Sequence, residues 1–224
     1  MTKRLILFIQ MLLLINALVL GQRNLSSGEI LHYWKSSHNK MNEDSNMIVN
    51  STSQLNVSLH RFIDSLEAKG IDSLIIFSTD LPGYSSLSKC DTGIFPMTTF
   101  IIWDQNGINK IRKIRGACLS DIKCPQLHLF DFYKDNYSEL KSDFSMPVIY
   151  SAKMIENNTI SYSWSDIDHQ PMYSFYYKIG KIGKALHFTE NEITNKESLF
   201  LNYNLKLATY HWWQMVKKAI SEID

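Results

Sequence analysis

The apolar positions of this chain change period several times, and each change predicts an element. Leu55, Leu59, Phe62, Ile63 and Leu66 recur at helical spacing, which predicts an amphipathic helix over Leu55 to Lys69. Thr52 or Ser53 can cap its start, and Gly70 stands where a left-handed terminal residue belongs. Leu74 to Ser78 is apolar on both faces, the pattern of a central, covered strand. Asp80-Leu81-Pro82-Gly83 then turns the chain, because proline presets one backbone angle and glycine accepts the positive one. Thr98 to Trp103 and Ile108 to Ile114 form two strands around Asn106-Gly107, the strongest short hairpin cue. The stretch Ser73 to Ile114 therefore holds the best strand signal and the best turn signal.

Further on the pattern weakens. Pro125 suits the first turn of a helix that would bury Leu127, Phe130 and Tyr137. Val148 to Ile155 and Thr159 to Trp164 predict a second hairpin about Asn157-Asn158. Met172 to Ile179 follows as another strand, and Gly180 and Gly183 precede a short one at Ala185 to Phe188. Asn204 to Ile223 predicts a long helix with Leu205, Ala208, Trp212, Met215, Ala219 and Ile223 near one face. Before all of these, Ile30, Leu31 and Trp34 mark a weak helical patch, and the polar segment 36–53 is expected to run over the surface as a mobile stretch. Hairpins dominate and strands do not alternate regularly with helices. The expected class is α+β, a mostly antiparallel sheet packed by an N-terminal amphipathic helix and a long C-terminal helix.

The first twenty-one residues stand outside that fold. Lys3 and Arg4 precede an apolar run, Leu5 to Leu20, broken only by Gln10 and Asn16, and Val19 and Gly21 supply small residues before Gln22. That order is the pattern of a signal peptide, residues 1–21, leaving a single domain over 22–224. A spanning helix wants about 20 apolar residues, more than this run offers. No later stretch is long or apolar enough to span, so a secreted or periplasmic protein with no stable membrane span is expected.

Charge narrows the partners. Removing Lys3 and Arg4 from 23 basic residues leaves 21 against 22 acidic ones, a formal charge of −1. Nucleic-acid binding normally rests on a basic excess, so no nucleic-acid partner is expected. The local run Lys110, Arg112, Lys113, Arg115 reads as the solvated side of a strand. Three cysteines remain, Cys90, Cys118 and Cys124, of which an exported chain can pair two. Cys118 and Cys124 are close in a turn-rich segment and form the favoured disulfide, while Cys90 with either of them stays open.

Candidate chemistry is sparse. Asp91-Thr92-Gly93 resembles the catalytic tripeptide of the aspartic proteases, whose chemistry needs two carboxylates sharing a proton. Ser88-Lys89-Cys90 precedes it where that family has apolar strand residues, and a second such tripeptide is absent from the sequence. A turn at Asp91 accounts for the same residues. Cys90 could act as a nucleophile only beside a base such as His169, oriented by Asp166 or Asp168. Among the seven histidines none stands three or four residues from another, so helical metal pairs are absent and no metal site is expected. No phosphate loop, dinucleotide fingerprint or Gly-x-Ser-x-Gly elbow occurs, and no cofactor is expected.

Aromatic residues gather at Tyr162, Trp164, Tyr173, Phe175, Tyr176 and Tyr177. Tyr173, Phe175 and Tyr177 share one strand face, a core row more readily than a stacking platform for a glycan or protein. Any site is expected where Asp80 to Gly93 leaves the central strand, with Asp80, Tyr84, Cys90 and Asp91 facing the 166–169 loop. The leading expectation is a non-enzymatic exported binding protein for a protein or glycan partner. The alternative is a hydrolase using Cys90 or Asp91 with His169.

Overall fold

The computed structural model describes residues 23–38, 57–80, 98–115, 118–155, 159–165, 170–180 and 182–222. Among these, nine strands form two antiparallel sheets, and helices cover them, an α+β arrangement. The signal-peptide residues, most of the 36–53 segment and the turn at Asn157-Asn158 lie outside the described residues.

The larger sheet has the order β5-β4-β3-β2-β8-β9. Its centre is β2 (Ser73–Asp80), paired with β3 (Thr98–Gln105) on one side and β8 (Met172–Ile179) on the other. β4 (Ile108–Arg115) and the two-residue β5 (Cys118–Leu119) extend one edge, and β9 (Ile182–Thr189) forms the other. The β3–β4 turn has the positive backbone angles its Asn-Gly pair predicts, φ 57° at Asn106 and 79° at Gly107. The Asp104 carboxylate accepts the Gly107 N–H at 2.7 Å and fixes that turn.

Both faces of β2 are buried, as its continuous apolar run predicts. Leu74 and Ile76 join Ile101, Trp103 and Ile114 under α2 (Val57–Glu67), whose Leu59 and Leu66 are buried and whose Phe62 and Ile63 pack partly against them. Lys178 on β8 donates to Glu67 at 2.5 Å, an ion pair between helix and sheet. Ile75 and Phe77 point the other way, into the largest core. There they meet Phe175, Tyr177, α3 (Leu129–Asp135) and α7 (Ala208–Ser221). Trp212 and Trp213 of α7 are at 0% and 1% exposure, so this helix is clamped to the sheet by two adjacent indoles. The Trp212 indole N–H donates to Leu129 O at 2.7 Å.

The smaller sheet is β1-β6-β7, with β1 at Arg23–Asn24, β6 at Ile149–Met154 and β7 at Ile160–Trp164. Its core gathers Leu25, Ile30, Met146, Ile149, Ala152 and Phe200, with Trp34 and Tyr162 of α1 (Ser27–His38) and β7 stacked edge-on at 5.6 Å. Three short helices, α4 (Tyr137–Ser142), α5 (Glu190–Thr194) and α6 (Leu201–Asn204), fill the junctions. Asn204, fully buried, accepts from Met146 N and donates to Met146 O and Glu192 O.

Several features differ from the sequence expectation. The helix expected from Pro125 begins at Leu129, and Pro125 is buried ahead of it. The C-terminal helix begins at Ala208, because Leu207 is extended at φ −61°, ψ 136° and breaks the path from α6. Its buried face also includes Trp213, Val216 and Ile220, broader than the single row the pattern suggests. Finally, the β6–β7 hairpin does not share a sheet with β8, which pairs instead with β2, almost a hundred residues away in sequence.

Candidate functional site

One end of the six-stranded sheet collects several connections. Thr189, Met172 and Asp80 stand side by side there, on β9, β8 and β2. One residue further along, Thr79 pairs with Thr98, Thr98 with Arg115, and Arg115 with Cys118. The segment after Asp80 and the segment before Met172 therefore leave neighbouring strands at the same end. Both segments, 81–97 and 166–169, lie outside the described residues. So do the sequence candidates Tyr84, Cys90, Asp91, Asp166, Asp168 and His169, and the Asp80 side chain.

The described rim of this end is anchored by Tyr173. Its hydroxyl donates to Glu190 Oε2 at 2.5 Å, across the β8–α5 junction. Burial, and after it the Glu190 carboxylate, push the phenol upward from its ordinary range, so it stays a neutral donor at physiological pH. Glu190 is placed by the turn at Thr189, whose side chain accepts from Glu192 N while Glu192 reaches back to the Thr189 N–H, a capping box. The Lys217 ammonium from α7 lies 5.3 Å from the Tyr173 ring centre and 4.7 Å from that of Trp213. Next to Glu190, Asn191 donates its N–H to Gln170 Oε1 at 2.9 Å, which ties the incoming chain to α5. Glu190 and Lys217 are absent from the sequence candidates, although Thr189-x-x-Glu192 is a readable helix-start signal.

The remaining candidates separate. Tyr173 and Tyr177 are buried at 8% and 2% exposure, in the core row rather than on a surface platform. Burial raises Tyr177 as well, with the neighbouring Tyr133 adding to it. Trp164 is the exception at 61% exposure, but it ends β7 in the other sheet, opposite Ile149. Cys124 carries a free, exposed thiol, whereas Cys118 is disulfide-bonded, so the favoured Cys118–Cys124 bridge is not formed. The register explains this. Cys118 sits opposite Arg115 and Lys123 opposite Ile111, so the intervening residues run alongside β4. Four residues of strand span roughly 13 Å, beyond the Cα separation of about 7 Å that a disulfide tolerates.

Among the described residues, no group of three or more His, Cys, Asp or Glu side chains is placed to hold a metal ion. Among them also, no helix is long and apolar enough to cross a membrane. The basic strand β4 is engaged within the fold. Arg112 donates to Ser120 O at 2.8 Å and lies over Phe62, and Lys113 lies over Phe100. Compared with protein-family models, with curated proteins and with solved structures, the chain matches none.

Proposed function

We propose that the protein is exported and acts as a non-enzymatic binding protein, at or outside the cell envelope, through the connections at the Asp80–Met172 end of the large sheet. The observation that carries this reading is the pairing of Asp80 with Met172. It brings the departure of 81–97 and the arrival of 166–169 to adjacent central strands, and loops on a rigid sheet are common homes for recognition. A protein or glycan surface suits residues such as Tyr84 and Asp168, and Trp164 offers one further exposed ring. The signal-peptide pattern of residues 1–21 supplies the route out of the cytoplasm.

The test is cosedimentation of the mature protein with envelope preparations and their isolated polysaccharides. Wild type binds, and Tyr84→Ala with Asp168→Ala loses binding at an unchanged melting temperature. Binding that survives both substitutions removes this end of the sheet from the reading.

The same pairing favours one second reading, a hydrolase in which Cys90 or Asp91 acts with His169. Asp91→Asn keeps shape and removes the charge, and His169→Ala removes the base. A hydrolase loses turnover of peptide or ester substrates in both variants, and a binding protein has none to lose.

A further inference from the structure

Cys118 is disulfide-bonded, Cys124 is free, and the sequence holds three cysteines. We propose that the partner of Cys118 is Cys90, so that one covalent bond joins the connection between β2 and β3 to the outermost strand of the sheet. Chain reach allows it. Cys118 faces Arg115, which faces Thr98, so two strand spacings separate Cys118 from the start of β3. Two spacings are about 10 Å, and the eight residues from Cys90 to Thr98 can extend to roughly 27 Å. The same geometry that forbids Cys118 to reach Cys124 therefore leaves Cys90 within range.

The bond forms by exchange. The thiolate of one cysteine attacks the disulfide of an exported thiol oxidant and displaces one of its sulfurs. The second cysteine then attacks the mixed disulfide, and the oxidant leaves as a dithiol carrying the two electrons and two protons. The proposal rests on the export reading for this oxidant. Its chemical consequence reaches the candidate site. A sulfur held in a disulfide is no nucleophile, so the hydrolase reading keeps Asp91 and His169 and loses Cys90. Cys124, exposed on the edge segment, becomes the accessible thiol of the molecule.

Trypsin sorts the three cysteines into three peptides, 90–110, 116–123 and 124–134, because Lys89, Arg115 and Lys123 precede them. Exported protein is alkylated without reduction, digested and weighed. The expected result is a linked pair of 90–110 with 116–123, and an alkylated 124–134. Linkage of 116–123 to 124–134, linkage to a second copy of itself, or alkylation of Cys118 overturns the assignment. Thiol counting in denaturant gives an independent reading that survives a folding defect. Wild type shows one thiol per chain, Cys90→Ser two, and Cys124→Ser none. A Cys90→Ser count of zero would mean Cys118 pairs with Cys124 after all. The N-terminal peptide of the same digest reports export separately, since a chain retaining Met1 sinks the export reading and leaves the pairing result standing.

Discussion

Asp143 caps a distant helix, accepting from Thr209, 66 residues further on, through one carboxylate oxygen, from N at 2.7 Å and from Oγ1 at 3.0 Å. The helix α7 needs this help, because its own flanking residue is Leu207, which has no polar side chain to offer. A carboxylate at that end also meets the positive pole of the helix. Asp143→Ala should destabilise the fold by roughly 1–2 kcal/mol, the usual cost of losing a good cap. Asp143→Asn should cost less, since an amide oxygen can still accept. Urea denaturation checks both, and equal midpoints for wild type and Asp143→Ala would mean the cap is not a stabilising contact.

The carbonyl of the same residue accepts from Lys184, whose ammonium also donates to Leu140 O at 2.7 Å and Lys141 O at 3.2 Å. Burial lowers this amine to about 8, against an upward pull from Asp143. The sign follows from proton counting. Below about pH 8 Lys184 is charged in both folded and unfolded chains. Between about 8 and about 10.4 the unfolded chain keeps a proton that the folded chain has released, so stability rises with pH. The phenols work in the other direction. Burial holds Tyr173 and Tyr177 above their ordinary range and pushes Tyr203 up to about 12. Above about pH 10 the unfolded chain loses phenol protons that the folded chain retains, and stability falls. Denaturation midpoints measured from pH 7 to 11 should rise to a maximum near the tyrosine range and then drop. Lys184→Met should flatten the rising limb and leave the falling one, and an unaltered rise would assign it to another group.

Ser78 and Thr99 share a hydrogen bond of 2.9 Å between β2 and β3, with both residues buried at 4% exposure. Removing one hydroxyl strands the other. Ser78→Ala should therefore cost roughly 1–3 kcal/mol, whereas Ser78→Ala with Thr99→Val removes both polar groups and should recover most of that loss. Thermal unfolding of both single variants and the double variant decides it. A double variant less stable than the sum of its singles would show that shape, not hydrogen bonding, governs this contact.

Much of this architecture is written locally. The two-faced apolar run at Leu74 to Phe77 marks the central strand, Asn106-Gly107 marks the hairpin turn, and Leu59 with Leu66 marks the buried face of α2. Each depends on periodicity or turn chemistry within a dozen residues. Pairing between distant strands is not carried that way. Nothing local to Met172–Ile179 says that it lies against β2 instead of the hairpin that precedes it. The cysteines failed for the same reason. Closeness in sequence favoured Cys118 with Cys124, but an extended segment beside β4 holds neighbours far apart. At the candidate site the polar anchor is Glu190 on Tyr173, two residues that sequence separation hides and the β8–β9 hairpin joins.

Phe62 on α2 links the helix to the sheet by two different ring contacts. It meets Trp103 in a T-shaped contact with centres 5.4 Å apart and planes at 71°, and the Arg112 guanidinium lies 5.0 Å from its centre. The ring is only partly buried, so Phe62→Ala should cost somewhat less than the roughly 3–5 kcal/mol typical of a fully enclosed phenylalanine. Phe62→Leu keeps apolar volume and loses the aromatic face, and with it both ring contacts. A double-mutant cycle with Arg112→Gln should then return a coupling of about 0.5–1 kcal/mol, the range for a cation over an incompletely buried ring. Arg112 also donates to Ser120 O, so the cycle is needed to separate that bond from the ring contact. Zero coupling would leave the guanidinium as a tether for the edge segment alone, and an unchanged midpoint in Phe62→Ala would mean that α2 is held to the sheet by Leu59 and Leu66 without it.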